Sequence, residues 1–221
     1  MEIELKILCG VSIGEYLERY AQLRQSIRRT SPSFEASKLT GKALNLEGFA
    51  LNLGAVVVVA LHEGRIIAMA SGEPLIHEQM ALATPLKQIG QRIESYFYLA
   101  ELLLEPAYLN KNVEKKLIET IEAHACEIGF QRVAFFSPDK SDTVKPQSIL
   151  DQTDNVRAFW MGQHYYPLKE TLISLPAKRY GFNGPAERSV NKVHTPMQMW
   201  VKELEDADAY CAPREYKALS A

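Results

Sequence analysis

Side chains able to do chemistry gather in one stretch of the chain, residues 94–117. It carries the carboxylates Glu94, Glu101 and Glu105, the phenol of Tyr98, the amides Asn110 and Asn112, and the cations Lys111, Lys115 and Lys116. Near neutral pH a carboxylate accepts a proton, whereas an unperturbed tyrosine, with a pKa of about 10, donates one and is a poor base. Asn110, Lys111 and Asn112 stand where an amphipathic pattern begins. A helix start offers backbone N–H groups without intrahelical acceptors, and with the helix dipole these attract an anion. Each feature also has a plain structural reading. The glutamates suit a solvated strand edge and the lysines a solvated helix face, while Asn110 or Asn112 can cap the helix and Glu114 complements its dipole.

Other chemistries lack their residues. His62, His77, His124, His164 and His194 share no ligand spacing, so no metal site is expected. Cys9, Cys126 and Cys211 are odd in number and far apart, which predicts reduced thiols in a cytoplasm rather than a disulfide framework. No Walker loop, G-x-S-x-G elbow or complete dinucleotide fingerprint is present. A net charge of -2 gives no general field for nucleic acid or an anionic membrane, so neither is an expected partner. Residues 1–6 alternate charged and apolar types, unlike an export signal. The apolar run 53–61 is about half of the roughly 20 residues a membrane-spanning helix needs, and it reads as a buried strand.

The elements that must carry the chemical stretch follow from periodicity. Period-two alternation predicts a strand over 2–8, and helical spacing predicts helices over 14–29 and 35–53. β-branched runs at 55–61 and 66–71 flank a turn at 62–65, which is a hairpin signal. A long connection, 74–91, with a helical pattern over 86–93, leads to an apolar strand at 96–104. A stripe of Val113, Leu117, Ile121, Ala125 and Ile128 predicts a helix over 112–128, closed by Gly129 in the left-handed region. Strands at 132–136, 165–175 and 197–204, a short helix at 155–161, and loops at 137–154 and 181–195 complete the pattern. The 221 residues, 47% of them apolar, fit one domain over 1–204 with a C-terminal tail, 205–221, expected to fray. The order predicts an α/β fold with a mixed sheet, in which strands 96–104 and 132–136 are parallel neighbours joined by the 112–128 helix. The polar connections 74–91 and 137–154 are expected to flank a cleft.

Residues 102–117 read Leu-Leu-Leu-Glu-Pro-Ala-Tyr-Leu-Asn-Lys-Asn-Val-Glu-Lys-Lys-Leu. This resembles, without gaps, the cofactor motif of the GNAT superfamily of acyl-CoA-dependent N-acyltransferases: a strand ending V-x-P, then Y-R-G-K-G-I-G-K-K-L and an amphipathic helix. Pro106, Tyr108, Lys111, Val113, Lys115, Lys116 and Leu117 fall in register. Further on, Arg157, Ala158, Phe159 and Trp160 with Tyr165 resemble the last helix of that family, F-[YW]-x-x-x-G-F, so the likeness covers most of 1–204.

The resemblance implies a GNAT fold, a central mixed twisted sheet flanked by helices, and transfer of an acyl group from acetyl-CoA or another acyl-CoA to a primary amine. The acceptor would be a small-molecule or peptide amine. Leu102, Leu103 and Leu104 would offer peptide groups to the pantetheine arm. Leu109, Asn110, Lys111, Asn112, Val113 and Glu114 would form the pyrophosphate loop, with Asn155 and Trp160 contributing from the last helix. Tyr98 and Glu101 are the candidate catalytic pair. The departures support a rival reading, a GNAT-fold recognition or regulatory module with weak or no coenzyme A binding. Leu109 replaces a basic or amide residue, and Asn112 and Glu114 replace glycines. Asn tolerates the left-handed region. A carboxylate about 5 Å from a phosphate charge, however, costs on the order of 3 kcal/mol at an effective dielectric near 20.

Overall fold

A computed structural model describes residues 2–30, 49–52, 54–78, 80–109, 111–138, 153–168, 171, 173–178 and 192–204. The predicted second helix, the 137–154 loop, most of the 181–195 loop and the tail fall largely or wholly outside these residues.

β1 (Glu4–Cys9) leads through a 3-10 segment, Gly10–Tyr16, into α1 (Leu17–Thr30). β2 (Val56–His62) and β3 (Arg65–Pro74) form the predicted hairpin. Its turn residues Glu63 and Gly64 have φ of 52° and 74°, the geometry that matches the right-handed twist of the strands. α2 (Met80–Gln88) and β4 (Tyr96–Leu104) follow. The crossover helix is α3 (Val113–Glu127), and Gly129 beyond it is left-handed, with φ of 92°. β5 (Arg132–Pro138), α4 (Thr153–Gly162), β6 (Tyr166–Pro167), β7 (Ile173–Lys178) and β8 (Lys192–Glu203) complete the described chain.

Three elements differ from the sequence reading. The helix expected over 86–93 runs instead from Met80 to Gln88, with Leu82 and Leu86 buried. Pro85 sits inside this helix. The strand expected over 165–175 is split into β6 and β7. Between them the amide of Gln198 donates to the Leu168 carbonyl at 2.6 Å, so the interruption is hydrogen-bonded from β8. β8 begins at Lys192, inside the stretch read as a loop, because β7 supplies it with an antiparallel partner along that length.

All eight strands join one sheet, in the order β1-β2-β3-β4-β5-β8-β6, with β7 also on β8. Every neighbouring pair is antiparallel except β4 and β5, which are parallel as predicted. One face packs on α3 and α4 through Val56, Val58, Phe97, Leu117, Ile121, Phe135 and Trp160. The other holds α1 around Val57, Val59, Tyr20 and Leu103, and α2 around Tyr96, Tyr98 and Met199. No described helix is long and apolar enough to cross a membrane.

Tight packing between β3 and β4 fixes one glycine. Gly72 pairs with Leu99, and a Cβ there would lie 2.4 Å from the Phe97 ring and 3.0 Å from the Tyr98 carbonyl oxygen. Phe97 is fully buried and has nowhere to move. Gly72→Ala is therefore expected to destabilise the fold by about 1–3 kcal/mol, measured as a lowered midpoint in urea, by forcing ring and strand apart.

Candidate active site

The crossover makes a fork. β4 pairs with β5 only from Tyr96 to Tyr98, opposite Arg132 to Ala134. Beyond that point β4 stays with β3 and β5 stays with β8. The β5-facing edge of Leu99 to Leu104 thus has no ladder partner among the described residues, and its peptide groups are available to an extended ligand.

A β-bulge stands beside the fork. β3 pairs Gly72 with Leu99 but Ser71 with Glu101, so Ala100 is the extra residue. Past the bulge the alternation of side chains is reset. Glu101 joins Tyr98 on the α1 and α2 face, and Leu102 and Leu104 turn towards α3. Both candidate catalytic residues thereby share one face. Tyr98 is 2% exposed; burial pushes its phenol up, and the charges of Glu78, Glu73 and Glu101 push it further. It stays protonated at any physiological pH, so it can donate a proton or pass one on but does not serve as a base. Glu101 accepts a hydrogen bond from Tyr20 Oη of α1.

Glu73, which sequence reasoning did not single out, completes the group. It is 5% exposed and lies opposite Tyr98 in the register. Asn52 Nδ2 donates to it at 2.5 Å. Burial pushes its carboxyl up to about 7; the Asn52 bond opposes this, and Glu78, in hydrogen-bonding reach, adds to it. Its only sequence signal is a carboxylate near the end of a mostly apolar strand.

The predicted loop residues are placed as follows. Asn112 precedes α3 in the left-handed region, with φ of 58°, and makes no side-chain cap, so the capping role read for it does not hold. Asn110 lies outside the described residues. The side chain of Val113 is fully buried, which leaves only its backbone for a ligand. Lys111 Nζ lies 4.7 Å from the centre of the Tyr108 ring, and the Tyr108 hydroxyl is 2.9 Å from His62 Nδ1. Leu109 is exposed. Glu114 bonds its own backbone N–H, while burial pushes its carboxyl up.

Leu103 is buried against the α1 face, and Leu102 and Leu104 are half-buried against α3. Trp160 packs on Phe135 with ring centres 4.1 Å apart. Asn155 belongs to α4, on the same helix as Trp160. Glu105 is held by both terminal nitrogens of Arg65, at 3.1 and 2.9 Å. Glu94 is exposed in the 3-10 turn that precedes β4, away from the fork. The first part of the 74–91 connection does border the site, through Glu78, and α2 packs beneath Tyr98.

The shift of Glu73 has a stability consequence. Its folded carboxyl holds a proton that the unfolded chain loses near its ordinary value of 4.5, so stability falls as pH rises from about 4.5 to about 7. Glu73→Gln is expected to flatten that fall by on the order of 2 kcal/mol, read from urea unfolding at pH 5 and pH 8. An unchanged slope would count against the shift.

No family model and no curated protein matches the sequence. Solved structures do match. A probable acetyltransferase from Staphylococcus epidermidis ATCC 12228 superposes with a TM-score of 0.59 at 10% identity, covering 91% of this chain and 99% of its own. A GNAT-family acetyltransferase from Staphylococcus aureus Mu50 gives 0.53 at 14% identity, over 92% and 100%. An aminoglycoside 6'-N-acetyltransferase solved with coenzyme A gives 0.52 at 13% identity, over 92% and 97%. With the mixed sheet, the parallel crossover and the fork between β4 and β5, these likenesses show that the chain has the GNAT acyltransferase fold.

Proposed function

We propose that this protein is an acyl-CoA-dependent N-acyltransferase that moves an acyl group to a primary amine by direct attack on the thioester. The observation that carries this reading is the open edge of β4 beyond Tyr98, lying beside a buried phenol and two carboxylates. The residues fit coenzyme A in part. Leu102, Leu103 and Leu104 belong to the open edge suited to a pantetheine arm, and the N–H groups opening α3, behind a left-handed Asn112, suit the pyrophosphate. Coenzyme A supplies the activated acyl group and a thiolate leaving group. Tyr98 is the donor for that thiolate, and the carboxylates beside it receive protons from the amine. The protein's main contribution is to hold the two reactants in line. A cytoplasmic setting belongs to this reading.

A second reading has its own observation. Glu114 answers its own backbone N–H, and Lys111 lies over a tyrosine ring, so the start of α3 is partly satisfied from within. A GNAT-fold recognition module without coenzyme A would look the same at this loop.

Calorimetric titration with acetyl-CoA separates the two. Wild type is expected to bind weakly, because Glu114 brings a like charge to the phosphates. Glu114→Gly should strengthen binding about tenfold at low salt while lowering stability by roughly 1 kcal/mol for a glycine in a helix. Tight wild-type binding would show that the loop does not meet the pyrophosphate in this way. Absence of binding in both proteins would select the recognition module.

A further inference from the structure

The α1 and α2 face of the fork carries a square of polar side chains across two strands. Ser71 stands opposite Glu101, and Glu73 opposite Tyr98. Ser71 and Glu73 are 3% and 5% exposed, on the same side of β3. Glu101 is engaged by Tyr20. Glu73 is held by the Asn52 amide on one side and meets Glu78, a second acid, on the other. The hydroxyl of Ser71 has no hydrogen-bond partner among the described residues, although it is buried and shares a strand face with Glu73. Buried hydroxyls are almost always bonded, so this one points to a missing partner. The Ser71 oxygen can accept as well as donate and an ionised Glu73 accepts, so a compact cation with several donors is a group that can satisfy both from one strand face.

We propose that Ser71 and Glu73 bind the acceptor as its ammonium ion and that Glu73, not Glu101, takes its proton, the acceptor being an alkyl amine with no carboxylate beside the nitrogen. The proposal rests on the N-acyltransferase reading and names its substrate class. Glu73, Glu78 and Glu101 all act on the Tyr98 hydroxyl electrostatically, so a carboxylate carried in beside the amine meets three acids. An α-amino acid is therefore disfavoured.

The step balances as follows. The ammonium gives one proton to the Glu73 carboxylate, and the freed nitrogen lone pair attacks the thioester carbonyl carbon. The C–N bond forms and the C–S bond breaks with its electron pair on sulfur, which takes the second amine proton by way of the Tyr98 hydroxyl. Glu73 then releases its proton to solvent, leaving an amide and free thiol.

The probes are n-pentylamine and 2-aminohexanoate, which has the same chain plus a carboxylate. In acetyl transfer n-pentylamine is expected to have a kcat/KM at least tenfold higher. Ser71→Ala should raise the KM for n-pentylamine about fivefold and change kcat less. Glu73→Gln should lower kcat by a hundredfold or more and erase an acid limb near pH 7 in the kcat/KM profile. The groups facing that carboxyl are Asn52 before β2, Glu78 after β3, and Tyr98, its partner in the β4 register; Glu101, held by Tyr20 of α1, stands opposite Ser71. Unchanged acetyl-CoA affinity in each variant, read by calorimetry without amine, shows that the fold and the cofactor site are intact. Equal use of 2-aminohexanoate, or a Glu73→Gln enzyme that keeps its rate and acid limb, overturns the proposal. Failure of the enzyme reading shows separately, as absent acetyl-CoA binding. In that case n-pentylamine titrated into the protein still tests the ammonium site, and affinity equal in wild type and Glu73→Gln overturns it.

Discussion

Everything at the candidate site depends on β4 being paired from Phe97 to its end on one side and for only three residues on the other. β3 holds β4 from Phe97 to Leu104, and β8 holds β5 from Arg132 to Pro138. Each parallel partner is thus tied to an outer neighbour, and the right-handed twist within each pair carries the two apart once their short ladder ends. A parallel pair is also the one place where the connection must be a long crossover, so α3 starts close to the open end. An unpaired edge and a helix N-terminus are brought together by one topological fact.

The bulge at Ala100 does the second part of the positioning. In an unbroken strand Tyr98 and Glu101 would face opposite sides of the sheet, since side chains alternate. The extra residue resets the count, so that a phenol and a carboxylate share the α1 and α2 face while Leu102 and Leu104 remain with α3. Gly72 permits this, because the strand beside the bulge passes too close to Phe97 for any side chain.

Two buried acids show how differently the fold treats a carboxyl group. Glu122, 2% exposed on α3, receives Lys202 Nζ at 2.7 Å and the Tyr165 hydroxyl at 2.9 Å. It lines a cavity of about 410 Å³ together with Lys202 and Tyr166, and its bonds are internal and complete in kind: a cation and a donor. Removing one partner of such a pair costs about 3–5 kcal/mol, which marks it as structural. Glu73 is buried almost as deeply, yet its neighbours are an amide and another acid. Groups held in that way are common where a protein must exchange protons near neutral pH.

The amino-acid sequence by itself determined the scaffold. The β-branched runs of β2 and β3, the apolar stripe of α3 and Gly129 behind it are local signals, because period and turn chemistry act over a few residues. The motif around Pro106 and Tyr108 marked the end of β4 and the start of the crossover for the same reason, being contiguous. Glu73 and Ser71 were not legible, since they lie some 25 to 30 residues before Glu101 and become its neighbours only through the β3–β4 register. The shared face of Tyr98 and Glu101 was hidden by a bulge that leaves no mark in the periodicity. Of the two readings of Asn112, the left-handed backbone that replaces a glycine holds, whereas the side-chain cap does not. What the tertiary structure alone decided was which side chains are buried together without a matching charge, because burial and pairing depend on strands that are distant in the chain.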